Sequence, residues 1–246
     1  MHFNVISLFP DLIEGYFEYS ILKRAKEAGV VSIKAINPRD FSKSKHKKVD
    51  DTPYGGGAGM VLMCEPFFGA YNSIEKKENS KTILLTPQGK PFTHKMSQEF
   101  ANYDELTIIC GHYEGFDERI RQNIDCEEVS IGDFVLTGGE LPALCLIDSI
   151  SRNIEGTLGK IESAHTDSFC DELLEYPQYT KPSEYNGWKV PDVLLSGNHA
   201  QINYWRKKEQ IRRTKERRAD LFEKFLQKKL TKEEQKILKE LEAEEI

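Results

Sequence analysis

EEVSIGDFVLTGGELPALCLIDSISR, running from Glu127 to Arg152, is the stretch whose reading decides the fold. EEVSI reads as a strand that meets a turn at Gly132-Asp133, and Gly138-Gly139 makes a second turn. Beyond it Leu141, Leu144, Cys145, Ile147, Asp148, Ile150 and Ser151 recur at helical spacing, which predicts a helix with one buried face. Pro142 stands in its first turn, where a missing N–H removes no bond the helix could make. The loop between strand and helix leaves main-chain amides and carbonyls accessible, with Ile131, Phe134 and Leu136 as apolar walls. Such a loop can hold a small polar ligand by backbone hydrogen bonds. The same residues also suit a tight connection that holds no ligand.

Upstream, the same alternation repeats. TILLTPQGKPF reads as a strand from Thr82 to Leu85 followed by a turn from Pro87 to Gly89, and LTIICGHYEGFDERI as a strand, a GHYEG turn and a helix FDERIRQNI. HFNVISL and VVSIKAI are two further strands. Between them Pro10 opens a helix carrying Leu12, Ile13, Tyr16, Phe17, Ser20, Ile21 and Ala25 at i, i+3, i+4 spacing, and Gly29 ends it. CEPFFGAYNSIEKK and THKMSQEFANYDEL add helices, the latter capped by Thr93. A βαβ opening predicts a parallel sheet with helices on its faces. In such a sheet the three Gly-bearing loops after ILL, TIIC and EVSI gather at the carboxyl edge, where ligands bind. Glu114, Asp117, Glu118 and Arg119 belong to the middle loop and the turn after it; His112 reads as a plain hydrogen-bonding residue or a base.

Bulk properties exclude several classes. The 246 residues, 39% hydrophobic and 30% charged, suit a soluble globular protein of one large or two ordinary domains. No apolar run approaches the roughly 20 residues of a membrane span. MHFNVISLFPDL has neither the basic region nor the cleavage site of a signal peptide. Cys64, Cys110, Cys126, Cys145 and Cys170 form no CxxC pair, so reduced, buried thiols in a cytoplasmic protein are expected, and a zinc site is not. Lys43, Lys45, His46, Lys47 and Lys48 precede Asp50-Asp51 and a run from Gly55 to Gly59. Those glycines neither follow a strand and open a helix, as a dinucleotide fingerprint requires, nor end in Gly-Lys-Ser/Thr, as a nucleotide-hydrolysing loop requires. A loop that closes over a substrate and an ordinary surface loop both remain.

After Arg152 the composition changes. NIEGTLGKIESAHTDSFCDELLEYPQYTKPSEYNGW is polar, with scattered Gly and Pro, and reads as a linker over 161–189 between an α/β domain over 1–160 and a helical domain over 190–246. Thr231 and Glu234 make a capping box. From Arg206 to Arg218 there are eight Lys/Arg against two Glu, beside Tyr204 and Trp205, the pattern of a nucleic-acid contact or of a solvated amphipathic helix. The net charge of −6 conceals this patch because the chain after Glu233 is acidic.

LLTPQGKPF, ICGHYEGFDERI, EVSIGDFVLTGGELPAL, the HTDSF segment and VPDVLLSGNHAQINYWR resemble the bacterial tRNA (guanine-N1)-methyltransferases that modify the guanosine 3′ of the anticodon. The resemblance covers nearly the whole chain in long, mostly ungapped motifs. It implies a mostly parallel α/β fold of the trefoil-knotted SPOUT class, with helices on both faces of the sheet and the knot late in the N-terminal domain, followed by a small all-helical domain. Periodicity alone points to no knot. The resemblance also implies S-adenosylmethionine as cofactor, magnesium as a helper, the anticodon stem-loop of tRNA as substrate, and a homodimer whose active sites are shared between chains.

Residues carry over where the motifs match. Cofactor contacts fall on Leu85, Thr86, Pro87 and Gln88, on Gly111 and Tyr113, on Ser130, Ile131, Gly132, Asp133, Phe134, Val135 and Leu136, and on Gly138, Gly139 and Pro142. The base-removing aspartate falls on Asp167, its supporting arginine on Arg152, and the acidic residue near the target guanine on Glu114. Phe134 departs from the tyrosine often found there, and the stretch before Asp167 varies. Bulk at Gly139 is expected to occlude main-chain groups from the cofactor. The sequence has no dedicated metal cage. Two other classes are weaker fits: a kinase or GTPase using the Gly55–Gly59 loop, and a noncatalytic RNA-binding module using the basic helix alone.

Overall fold

The computed structural model describes residues 1–158 and 167–244. The chain divides into two compact units, Met1–Ile161 and Glu162–Ile246. The domain boundary expected at 160/161, and most of the variable stretch before Asp167, lie outside the described residues.

The first unit opens with β1 (His2–Ile6), α1 (Pro10–Tyr16), α2 (Ser20–Glu27) and β2 (Ser32–Ile36). The single helix expected after Pro10 is two. Phe17 and Glu18 donate back to Glu14 and Gly15, tightening the end of α1, and Ser20 restarts the chain at a φ of 53°. Gly29 ends α2 as expected, at φ 71°, with its N–H on the carbonyl of Lys26 and that of Val30 on Ala25. That is the double bond of a Schellman cap. A short hairpin, β3 (Asp50–Asp51) and β4 (Val61–Leu62), brackets the glycine-rich loop, and α3 (Cys64–Asn72) follows.

Next come β5 (Ser80–Pro91), α4 (His94–Phe100), β6 (Glu105–Ile109), α5 (Glu118–Asn123), β7 (Glu127–Ser130) and α6 (Glu140–Ser151). The sheet order is β2-β1-β6-β5-β7, and every pairing is parallel. Alternate side chains point to opposite faces, as the pleat requires. Phe3, Val5, Ile83, Leu106 and Ile108 pack with α1, α2, α4 and α6, while Ile6, Leu84 and Ile109 pack with α3 and α5. Helices thus cover both faces, as expected.

Two readings need correction. The buried face of α6 is Ala143, Leu144, Leu146, Ile147, Ile150 and Ser151; Leu141 and Cys145 are exposed. Leu141, Cys145 and Asp148 share the other side of the helix at i, i+4, i+7, where Asp148 accepts from the Tyr16 hydroxyl at 2.9 Å. The cysteines are free but not uniformly buried: Cys110 is buried, Cys64, Cys126 and Cys170 are intermediate and Cys145 is exposed.

β5 extends well past the turn expected at Pro87. Leu85 and Lys90 both stand opposite Val129, with the register shifting between them, so residues 86–89 fold over the end of β7. At this crossing a Cβ on Gly89 would lie 2.4 Å from the Val129 nitrogen and 2.5 Å from the Glu128 carbonyl carbon. Only glycine fits between two backbones so close.

Among its described residues the second unit holds a 3-10 turn at Cys170–Glu172, a hairpin of β8 (Glu184–Tyr185) and β9 (Trp188–Lys189), and the helices α7 (Asp192–Leu195), α8 (His199–Arg217), α9 (Ala219–Leu226) and α10 (Lys232–Glu244). Leu173, Ile211, Phe225, Ile237 and Leu241 form its core. The capping box at α10 is made: Thr231 N–H donates to Glu234 at 2.8 Å and Glu234 N–H to the Thr231 hydroxyl at 3.2 Å. Among the described residues no helix is long and apolar enough to cross a membrane.

The crossing predicts a contrast between two glycines. Gly89→Ala should lower unfolding stability by about 3 kcal/mol, the upper end for overpacking. Gly15→Ala, in a helix with nothing within 4 Å of the new methyl, should be neutral or stabilising by about 0.5–1 kcal/mol. Denaturant melts of the two variants measure both; equal stabilities would mean that the crossing tolerates a side chain.

Candidate active site

β6, β5 and β7 are neighbours in the sheet, so the loops leaving their carboxyl ends lie side by side. They enclose a cleft of about 420 Å³. Leu85, Thr86, Pro87 and Gln88 line it from β5; Gly111, Tyr113 and Glu114 from β6; Ser130, Ile131, Gly132, Phe134, Val135, Leu136, Gly138, Gly139 and Pro142 from β7 and the start of α6. Of the cofactor residues expected from sequence, Asp133 alone is absent from this lining. Arg152, the residue that caps α6, and Asp167, in the second unit, are not among the lining residues either.

Local bonding explains how the loops hold their shape. The Ser130 hydroxyl donates to the Gly132 carbonyl at 3.0 Å and the Gly132 N–H returns to it at 3.2 Å. The Phe92 N–H donates to the Ser130 carbonyl at 2.7 Å, which holds the end of β5 to the start of this loop. The Gly139 N–H donates to the Gly111 carbonyl at 2.8 Å, joining the middle loop to the start of α6. A Cβ at Gly139 would lie 2.8 Å from both the Cys110 Cα and the Gly111 nitrogen. Added bulk there would pry two loops apart rather than project into the open cleft, which corrects the occlusion expected from sequence.

The walls combine glycines and polar residues with apolar side chains left in solvent. Val135 is 83% exposed, Phe134 54% and Tyr113 45%. Glu114 lies beside the glycine-rich loop: its N–H donates to the Met60 carbonyl at 3.0 Å, and its side chain occupies the space a Cβ on Gly59 would need. Asp117 and Arg119 turn to each other instead, through contacts of 2.8 and 2.6 Å, while Asp117 also caps α5. The Arg119 guanidinium holds the Asp117 carboxyl well below the usual carboxylate range.

Sequence reasoning missed Arg121. It donates to Gln88 Oε1 at 2.7 Å, lies 3.5 Å from Glu118, and pairs with Glu128, so it clamps the β5 loop to α5 and β7. Its place three residues after Glu118 on one helix was the available signal. His112, Phe116, Glu118 and Thr137 also line the cleft. The His112 Nδ1 is buried without a hydrogen-bond partner. Among the described residues no group of three or more His, Cys, Asp or Glu side chains could hold a metal ion, so the magnesium implied by the resemblance has no dedicated cage there.

A parallel α/β sheet with a glycine-bearing, partly apolar cleft at its carboxyl edge has the form of a small-ligand site. Comparison with known proteins narrows the class. The family described as tRNA (Guanine-1)-methyltransferase TrmD matches residues 1–224. A tRNA (guanine-N(1)-)-methyltransferase of Halalkalibacterium halodurans is 52% identical over 240 residues, 97% of this chain and 96% of the relative. One from Dehalococcoides mccartyi is 51% identical over 247 residues, 100% of this chain and 98% of the relative. One from Brevibacillus brevis is 53% identical over 244 residues, 99% of each. The chain belongs to the tRNA (guanine-1)-methyltransferase family.

The clamp gives a test of the cleft. Arg121→Ala removes the bond to Gln88 and leaves Glu128 unpaired, and losing a charge-assisted bond typically costs about 1.5–3 kcal/mol locally. The dissociation constant for S-adenosylmethionine should rise roughly ten-fold, which corresponds to about 1.4 kcal/mol. Calorimetry measures it; an unchanged constant would mean that the Gln88 loop plays no part in binding.

Proposed function

We propose that this chain transfers the methyl group of S-adenosylmethionine to N1 of guanosine 37 in tRNA. One observation carries the reading: in a chain that belongs throughout to this methyltransferase family, the residues matched to the family's cofactor loops line one cleft, Asp133 excepted.

The cleft residues fit the cofactor. Main-chain groups of Leu85 to Gln88, Gly111, Tyr113, Ser130 to Gly132 and Phe134 to Leu136 would meet its polar edges, and the exposed Tyr113, Phe134, Val135 and Leu136 would cover its apolar surfaces. S-adenosylmethionine, when bound, supplies an electrophilic methyl on a sulfonium. The protein's task is to make guanine N1 nucleophilic, since N1 carries a proton and attacks poorly while it does. The Asp167 carboxylate accepts that proton as general base. The Arg152 guanidinium offsets the negative charge that builds towards O6. Glu114, beside the hairpin loop, orients the target base. The carry-over of these three roles rests on the family's motifs. Phe169, Asp171 and Glu172 all take positive φ just after Asp167, and backbone held in such conformations clusters at functional sites.

Asp167 and the cleft lie in different compact units. A homodimer in which the aspartate of one chain serves the cleft of the other accommodates this. Exposed Phe9, Leu12, Tyr16 and Leu141, on or beside α1 and α6, supply the apolar surface a second copy would cover. Basic residues on part of α8, and the Lys43–Lys48 loop, contact the tRNA backbone, and a tRNA substrate puts the enzyme in the cytoplasm.

Nucleoside mass spectrometry of tRNA treated with the protein and labelled S-adenosylmethionine tests the reaction: 1-methylguanosine is expected at position 37 alone. Label in any other nucleoside would overturn the assignment. Asp167→Asn keeps size and hydrogen bonding but cannot take the proton, so turnover should fall by about 10²–10⁴ with both substrates still bound. Mixing Asp167→Asn with Gly132→Val, each inactive alone, should restore activity through one intact composite site. No recovery in confirmed heterodimers would mean that each chain carries its own complete site.

A further inference from the structure

The cations of α8 are not equivalent. On one flank, Tyr204, Lys208 and Arg212 recur four residues apart and face α10. The Tyr204 hydroxyl donates to Glu240 at 2.7 Å. Lys208 Nζ sits 2.8 Å from both Glu240 and Glu244. Arg212 reaches Glu244 at 2.7 Å and also pairs with Glu209. Arg213 and Arg217, four residues apart on another flank, have no carboxylate partner among the described residues.

The ion pairs are not what holds α10 in place. Glu240 and Glu244 keep a third to a half of their side-chain surface in solvent, and pairs open to water on one side contribute little to stability, whereas Ile237 and Leu241 are buried against Ile211, Phe225 and Leu173. Packing therefore presents Glu240 and Glu244 to Lys208 and Arg212 as a tethered anion. A cation already neutralised inside the protein brings no new phosphate neutralisation when RNA arrives, and it is that neutralisation, with the counterions it releases, that makes binding salt-dependent.

We infer that α10 closes the Tyr204–Lys208–Arg212 flank of α8 to nucleic acid, and that RNA phosphates are taken by the Arg213–Arg217 flank. The inference rests on the tRNA reading proposed above, and it separates Arg212 from Arg213, which belong to one basic face in the sequence. The carboxylates act as a built-in competitor: removing their charge exposes two further phosphate-binding cations.

The test is tRNA affinity of the full chain as a function of salt. Arg213→Gln with Arg217→Gln should weaken binding and flatten the log–log salt slope by roughly 0.7–0.9 for each phosphate left without its cation. Lys208→Gln with Arg212→Gln should leave the slope nearly unchanged, and this pair reads the question without altering α10. Glu240→Gln with Glu244→Gln should tighten binding and steepen the slope. Glu233→Gln with Glu242→Gln, the same change in net charge on the same helix, should not steepen it. The gain from Glu240→Gln and Glu244→Gln should vanish when combined with Lys208→Gln and Arg212→Gln. If the Lys208 and Arg212 pair flattens the slope as much as the Arg213 and Arg217 pair, or if neutralising Glu240 and Glu244 leaves it unchanged, the flank assignment is wrong. Absence of salt-dependent tRNA binding by the unaltered chain would instead sink the tRNA reading, and the flank assignment with it.

Discussion

The first unit depends on two places where backbone passes backbone with no room for a side chain. At one, Gly89 crosses Glu128 and Val129; at the other, Gly139 meets Cys110 and Gly111. Interiors packed at crystal density do not absorb an extra methyl at such points. The first crossing lets β5 pair with β7 on both sides of the 86–89 excursion, and the second draws the start of α6 against the end of β6. Between them the three carboxyl-end loops are forced into one place. The cleft is a consequence of these crossings, and glycines from two of the three loops stand in its lining.

The two units divide the physical work. The cleft lies in the first, where exposed apolar side chains beside backbone donors and acceptors suit a ligand with both an aromatic ring and polar edges. Positive charge on α8 belongs to the second, where an acidic helix offsets part of it. Net charge is therefore a poor guide to the partner, since attraction to a polyanion depends on where charge is left unpaired.

Much of the fold was legible because local signals agreed with the global one. Gly29 closing α2, Thr93 capping α4 and the Thr231–Glu234 box all held, and β6 and β7 each run into a glycine-bearing loop as expected. What was illegible depended on tertiary partners. Pro87-Gln88-Gly89 looks like a turn because turn residues are there, yet the chain folds back over β7 and resumes pairing, and nothing local reveals the strand beneath. Leu141 and Cys145 match a helical stripe as well as Ala143 and Leu146 do, and only the sheet selects between them. Arg121 finds Gln88 across 33 positions of sequence. The residues proposed to react were reached by resemblance rather than by physics: no spacing rule singles out Asp167 in a polar stretch.

The claim that the crossing-built cleft seats the methyl donor is tested most directly by amide hydrogen exchange with and without S-adenosylmethionine. The cofactor should slow exchange in residues 86–90, 111–115 and 131–139 and leave α8 to α10 unchanged. Protection confined to the Gly55–Gly59 loop or to the helices of the second unit, with none in those three loops, would contradict it.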